Sequence, residues 1–133
     1  MDFSLELVVL PVSDVDRAKD FYVRAGFHVD VDHATETFRV VQLTPPGSRC
    51  SVALMGDPGR AGSVQGLHLV VTDLVAARAE LVERGVEVGE AYHFGEQGQL
   101  PGLHPGRADF ASFATFTDPD GNGWLLQERS ARP

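Results

Sequence analysis

Cysteine is almost missing from this chain: Cys50 stands alone among 133 residues, which excludes a disulfide framework. Positive charge is scarce as well. Eleven Lys and Arg against 19 Asp and Glu leave a formal net charge of −8, with no basic cluster longer than an isolated pair. Nucleic acid and anionic membrane surfaces are therefore poor partners, and an uncharged or cationic ligand suits the chain better. No apolar run approaches the roughly 20 residues that a membrane-spanning helix needs. The opening stretch MDFSLELVVL also has no basic region ahead of its short apolar run. These absences point to a cytoplasmic protein.

What is present is an ordinary globular composition, 43% hydrophobic and 23% charged. A chain of this length buries roughly two-thirds of its unfolded surface around a single core, so residues 1–133 are expected to form one domain. Within it one pattern is written twice. LVVLPVSDVDRAKDFYVRAG, from Leu7 to Gly26, aligns without a gap on the segment ending LVVTDLVAARAELVERG at Gly85, with Asp14 on Asp73 at a constant offset of 59 residues. In each copy an apolar run ends in a Ser/Thr-Asp pair, whose short side chains accept from the unpaired N–H groups of a helix start. Val15, Ala18, Phe21, Tyr22 and Ala25 then fall three or four apart, as do Leu74, Ala77 and Leu81, giving each helix one buried stripe. Gly26 and Gly85 close the helices, and both copies read strand, helix, strand.

Each half continues into a hairpin. TFRVVQLT passes through PPGS into CSVALM, and SFATFT passes through DPDGNG into WLLQE. Gly47 meets Gly121 at an offset of 74, because the second half carries the insert AYHFGEQGQLPGLHPGRAD, expected to be the longest loop and a candidate lid. The expected fold is α+β: two βαβββ modules, 1–60 and 61–133, forming a concave mixed sheet with helices on its outer face.

Taken together, LPVSDVDRAKDFYVRAGF, VTDLVAARAELVERGVEV and FTDPDGNGWLLQE resemble the vicinal oxygen chelate superfamily over nearly the whole chain. That superfamily includes glyoxalases, extradiol dioxygenases, fosfomycin-modifying enzymes and bleomycin-binding resistance proteins. The resemblance implies a divalent metal held by His, Gln or Glu, one ligand seven residues before each helix-opening Asp and one three residues after the Asn of the DPDGN turn. Those rules land on Leu7, Gly66 and Leu125, with Ser51 as the first-half counterpart of Leu125. Leucine and glycine carry no donor, and a serine hydroxyl is a poor ligand for such ions. No metal or other cofactor is expected.

Side chains alternate faces along a strand, so His68 shares the inward face of Gly66, Val9 that of Leu7, and Gln127 that of Leu125. His68 is read as a hydrogen-bond donor to a small molecule or as a neutral pocket histidine. Tyr92, His93 and Phe94 open the insert, where they either stack on a planar ligand or anchor the loop. Phe110 and Phe116 share a parity opposite to Phe113, so at least one ring of FASFATF lines the cavity. Phe38 and Arg39 present a ring and a cation to opposite faces, in an order left open. Trp124 and Cys50 are read as core, DPDGNG as a tight turn, and Glu6 and Glu128 as solvent-exposed.

The ligand-binding set is therefore Leu7, Val9, Phe38, Ser51, His68, Tyr92, His93, Phe94, Phe113, Leu125 and Gln127, with no catalytic residue assigned. The expected function is metal-independent binding of a hydrophobic or aromatic small molecule, as in antibiotic self-resistance by sequestration. The alternative is an enzyme of glyoxalase or dioxygenase type, using displaced metal ligands or a His68 or His93 base. The resemblance further implies a homodimer.

Overall fold

The structure, a computed structural model, describes residues 1–130. In chain order the elements are β1 (Leu7–Val12), α1 (Val15–Arg24), β2 (His28–Ala34), β3 (Arg39–Thr44), β4 (Ser51–Gly56), β5 (Leu67–Val71), α2 (Leu74–Glu83), β6 (Tyr92–Gly95), β7 (Gly98–Pro101), β8 (Phe113–Thr117) and β9 (Gly123–Glu128). The strands form two sheets, ordered β1-β4-β3-β2 and β5-β9-β8-β6-β7. Each is mixed, because β1 runs parallel to β4 and β5 parallel to β9 while the hairpins pair antiparallel. The class is α+β. The chain divides into one unit of residues 1–64 with 118–122 and a second of residues 65–117 with those from 123 onward.

Both helices start where their caps dictate. The Asp14 carboxylate accepts from Arg17 N–H at 3.0 Å and the Asp73 carboxylate from Ala76 N–H at 3.1 Å, each satisfying a first-turn donor that has no partner inside the helix. Past the helix ends, Gly26 and Gly85 take φ of 104° and 87°, a left-handed conformation that a side chain would strain.

In the first unit α1 packs on β4 and β3. Ala18, Phe21 and Tyr22 of the helix meet Leu10, Val12, Val41, Leu43, Val52 and Leu54, all buried and all on one parity of their strands. The opposite parity carries no helix. Arg39 lies on the helix side, donating to Asp16 of α1 and to Asp32; its hydrogen bonds to Asp32, with that from Lys19, hold the Asp32 carboxyl well below the usual carboxylate range. Phe38 is thereby sent to the helix-free side, which settles the order of that pair.

The short segment 118–122, which joins β8 to β9, packs within the first unit. Asp118 Oδ1 accepts from the N–H groups of Asp120 and Asn122, each at 3.0 Å, which fixes the turn. Its Oδ2 accepts from Tyr22 Oη and Asn122 Nδ2, each at 2.8 Å. Asn122 also donates to the Pro11 carbonyl at 3.0 Å and accepts from Val64 N–H at 3.1 Å. Asp120 in turn accepts from the backbone and hydroxyl of Ser13 and from Arg17.

The second unit departs from the expected pattern in three places. No strand forms at Val86–Val88 directly after α2: both valines are buried, but residues 86–91 are irregular and meet β8 through Gly89 N–H to Thr115 O at 2.9 Å. The edge of β8 is taken instead by β6, paired at Tyr92 and Phe113. The insert is not a bare loop, since its first half is the β6–β7 hairpin, with Tyr92 opposite Pro101 and Phe94 opposite Gln99. Finally, Glu128 is buried rather than solvent-exposed, at 4% exposure, because a charged partner from the insert reaches it.

Candidate functional site

Each unit has one sheet face with no helix against it, and apolar side chains remain open there. In the second unit the register brings together most of the predicted residues. His68 lies opposite Leu125 and Val70 opposite Gln127. Across the hairpin Gln127 faces Phe113, Leu125 faces Thr115 and Gly123 faces Thr117. Tyr92 continues that row beside Phe113.

Three rings close one side of this face. Tyr92 stacks on Phe113 with centroids 5.6 Å apart, and Phe94 meets each of them edge-on, at 5.8 and 5.7 Å. Phe94 is 58% exposed, while Tyr92 and Phe113 are half-buried. Burial pushes the Tyr92 phenol above its ordinary value, and the phenol O–H can donate to a guest. On the opposite face Phe116 and Trp124 stack in the core, 6.0 Å apart and nearly parallel. A cavity of about 340 Å³ opens beside Leu125, lined by Gln65, Gly66, Thr115, Thr117, Phe116 and Trp124.

The histidines take different roles. His68 is exposed, and its Nδ1 lies 2.7 Å from the Gly66 carbonyl, which can only accept. Nδ1 therefore donates to that carbonyl, which leaves Nε2 as the ring atom turned toward a guest. His93 does not join Tyr92 and Phe94. It alternates to the other face, is 9% exposed and gives Nδ1–H to the Gly102 carbonyl at 2.8 Å. Its ring packs edge-on against His104, 6.0 Å away, whose Nδ1 accepts from Gly106 and Ala108 N–H. The insert is thus fastened from below by its own histidines.

A second fastening lies at the end of β9. Arg107 donates to both carboxylate oxygens of Glu128, and Glu128 also accepts from Leu74 N–H at 2.8 Å at the start of α2. The Arg107 hydrogen bonds hold the Glu128 carboxyl below its ordinary range; burial opposes them, and the Leu74 N–H adds to them.

In the first unit the helix-free face carries Leu7 opposite Ser51 and Val9 opposite Ala53, with Leu7 and Val9 well exposed. Phe38 is 55% exposed, with its ring 6.4 Å from that of His33. Ser51 is 5% exposed and hydrogen-bonds to Thr44 Oγ1 at 2.6 Å, while Thr44 donates to Asp30.

The positions where the resemblance places metal ligands are Leu7 and Ser51 here, and Gly66 and Leu125 in the second unit. One hydroxyl among two leucines and a glycine does not fit a divalent ion. Among the described residues no group of three or more His, Cys, Asp or Glu side chains is placed to hold one. Sequence reasoning passed over Thr44, Val70, Thr115 and Thr117, which share these faces. Hairpin register counted outward from Gly47 and Gly121 finds the three threonines, and strand alternation from His68 finds Val70.

Residues 4–126 match the sequence pattern of one protein family. The chain belongs to the Glyoxalase/Bleomycin resistance protein/Dioxygenase superfamily. Among solved structures of this superfamily's fold, an antibiotic binding protein from Streptomyces sp. CB03234 is 36% identical, with 98% of this chain and 99% of that one covered and a TM-score of 0.74. A glyoxalase/bleomycin resistance protein from the same organism is 35% identical over 94% of this chain and 100% of the other, with a TM-score of 0.70. A superfamily member from Sphaerobacter thermophilus is 28% identical, covering 96% and 98%, with a TM-score of 0.68. No curated protein matches the chain. None of the helices among the described residues is long and apolar enough to cross a membrane.

Proposed function

We propose that this protein binds a hydrophobic or aromatic small molecule on the helix-free faces of its sheets, without a metal, and that it protects its host by sequestering an antibiotic. The observation that carries this reading is the Tyr92, Phe94 and Phe113 cluster, three mutually packed rings left partly open beside apolar and hydroxyl side chains. Apolar walls with a few polar groups are the usual make-up of a small-molecule site. Burial there contributes roughly 25 cal/mol per Å² before ordering costs. Similarity to an antibiotic binding protein at 36% identity supports the same reading. The net charge of −8 suits an uncharged or cationic guest.

Catalysis by His68 or His93 has less support, since among the described residues neither ring is paired with a carboxylate and His93 is turned into the insert. A cytoplasmic setting agrees with the single free Cys50.

The binding form is a homodimer. Phe3 and Leu5 are 89% and 70% exposed and continue the open alternation of Leu7 and Val9, and β1 and β5 are both edge strands, so a second copy would cover surface that water otherwise meets. Light scattering at micromolar concentration should give twice the chain mass, and a monomer contradicts the dimer.

Calorimetric titration with a panel of planar aromatic antibiotics tests the function directly. At least one compound should bind at micromolar or tighter affinity and raise the melting temperature by mass action. A panel that leaves both heat and melting temperature unchanged defeats the proposal.

A further inference from the structure

We infer that Ser51 Oγ is a preformed hydrogen-bond acceptor on the helix-free face of the first unit, selecting ligands that carry a hydroxyl or N–H donor. The inference rests on the binding function proposed above and adds the chemistry of the guest.

It follows from counting protons. Asp30 is the extra residue at a bulge in β2, between Val29 and Val31, and its ionised carboxylate can only accept. Thr44 Oγ1 has one proton and gives it to Asp30. The contact of 2.6 Å between Thr44 and Ser51 must then run the other way, with Ser51 donating. Its single proton committed, Ser51 Oγ keeps its lone pairs and receives no hydrogen bond from any described residue. At 5% exposure it is largely shielded from water, and a buried acceptor left unfilled is costly. Its neighbour in register is the exposed Leu7, so the apolar surface on which a guest would lie is next to this oxygen. His28 Nε2 stands 3.8 Å from the far oxygen of Asp30 and reinforces the carboxylate only when protonated. Thr44 and Asp30 are positioning residues: they fix the direction of the chain and need not touch the guest.

The test compares 2-naphthol, which can donate, with 2-methoxynaphthalene, which cannot, by titration of the full-length protein. Wild type should prefer the naphthol about five-fold, as one neutral hydrogen bond implies. Ser51→Ala should bring the ratio close to one, and a cooperative thermal melt of the variant shows that it is folded. Thr44→Val should narrow the ratio, because the freed Ser51 hydroxyl can donate to the ether oxygen, and Thr44→Ser should restore it. Equal binding of both probes by wild type, or a preference that survives Ser51→Ala, overturns the acceptor while the binding function stands. If wild type holds neither probe nor any member of the antibiotic panel, the binding function fails and the acceptor with it.

Discussion

Tyr22 donates its hydroxyl to Asp118 at 2.8 Å across 96 residues of chain. That bond explains why a hairpin turn carries so specific a sequence. DPDGN makes its own turn through Asp118 Oδ1 and spends Oδ2 on α1, while Asn122 reaches the Pro11 carbonyl. Tyr22→Phe removes one of four donors to a buried carboxylate and should cost about 1.5 kcal/mol. Asp118→Ala strands all four donors and should cost about 3 kcal/mol or more. Urea unfolding curves of the two variants check the order.

Glu128 makes stability depend on pH. Its folded carboxyl titrates below the unfolded value, chiefly through Arg107, so its contribution is complete above the unfolded value of about 4.3. It is lost as pH falls through the folded value. Glu128→Gln should therefore melt below wild type at pH 7, and the gap should close as melting is followed down to pH 3. A gap that stays constant across that range rules out the charge as its origin.

Phe113 sits at the centre of the ring cluster, touching both Tyr92 and Phe94. Phe113→Ala removes the surface on which a planar guest would stack. Loss of a central aromatic anchor commonly costs about 2 kcal/mol, roughly thirty-fold in affinity. His93→Ala, on the other face, should weaken binding far less and should instead speed proteolysis of the insert. Calorimetry on the two variants separates the roles.

The donor set at Leu7, Ser51, Gly66 and Leu125 predicts that chelation is without effect. Binding measured after exhaustive dialysis against EDTA should equal that of untreated protein, and elemental analysis should find no stoichiometric Zn, Fe, Ni or Mn. Restoration of lost binding by one of these ions would refute the metal-free reading.

The sequence disclosed what depends on neighbours in the chain. Asp14 and Asp73 are legible as caps because capping is a three-residue affair, and Gly26 and Gly85 because a left-handed residue has few candidates. The parity that unites His68, Leu125 and Gln127 follows from strand alternation alone. Contacts made at a distance left no such trace. Burial of Glu128 depends on Arg107, 21 residues earlier in an irregular stretch, and nothing local distinguishes it from an exposed strand-end carboxylate. The β6–β7 hairpin was hidden by its glycines, although Tyr92 and Phe94 alternate around His93 as strand residues do. That alternation also divides a trio of ring side chains which sequence had read as one cluster.

Residues 118–122 bind into the first unit while the strands on either side of them belong to the second, so the polypeptide crosses the boundary between units three times. A fragment ending at residue 64 would leave the Tyr22 hydroxyl without its carboxylate and Pro11 without the Asn122 amide. The first unit is therefore not finished by its own stretch of sequence: five residues of a turn, read more than fifty positions later, complete it.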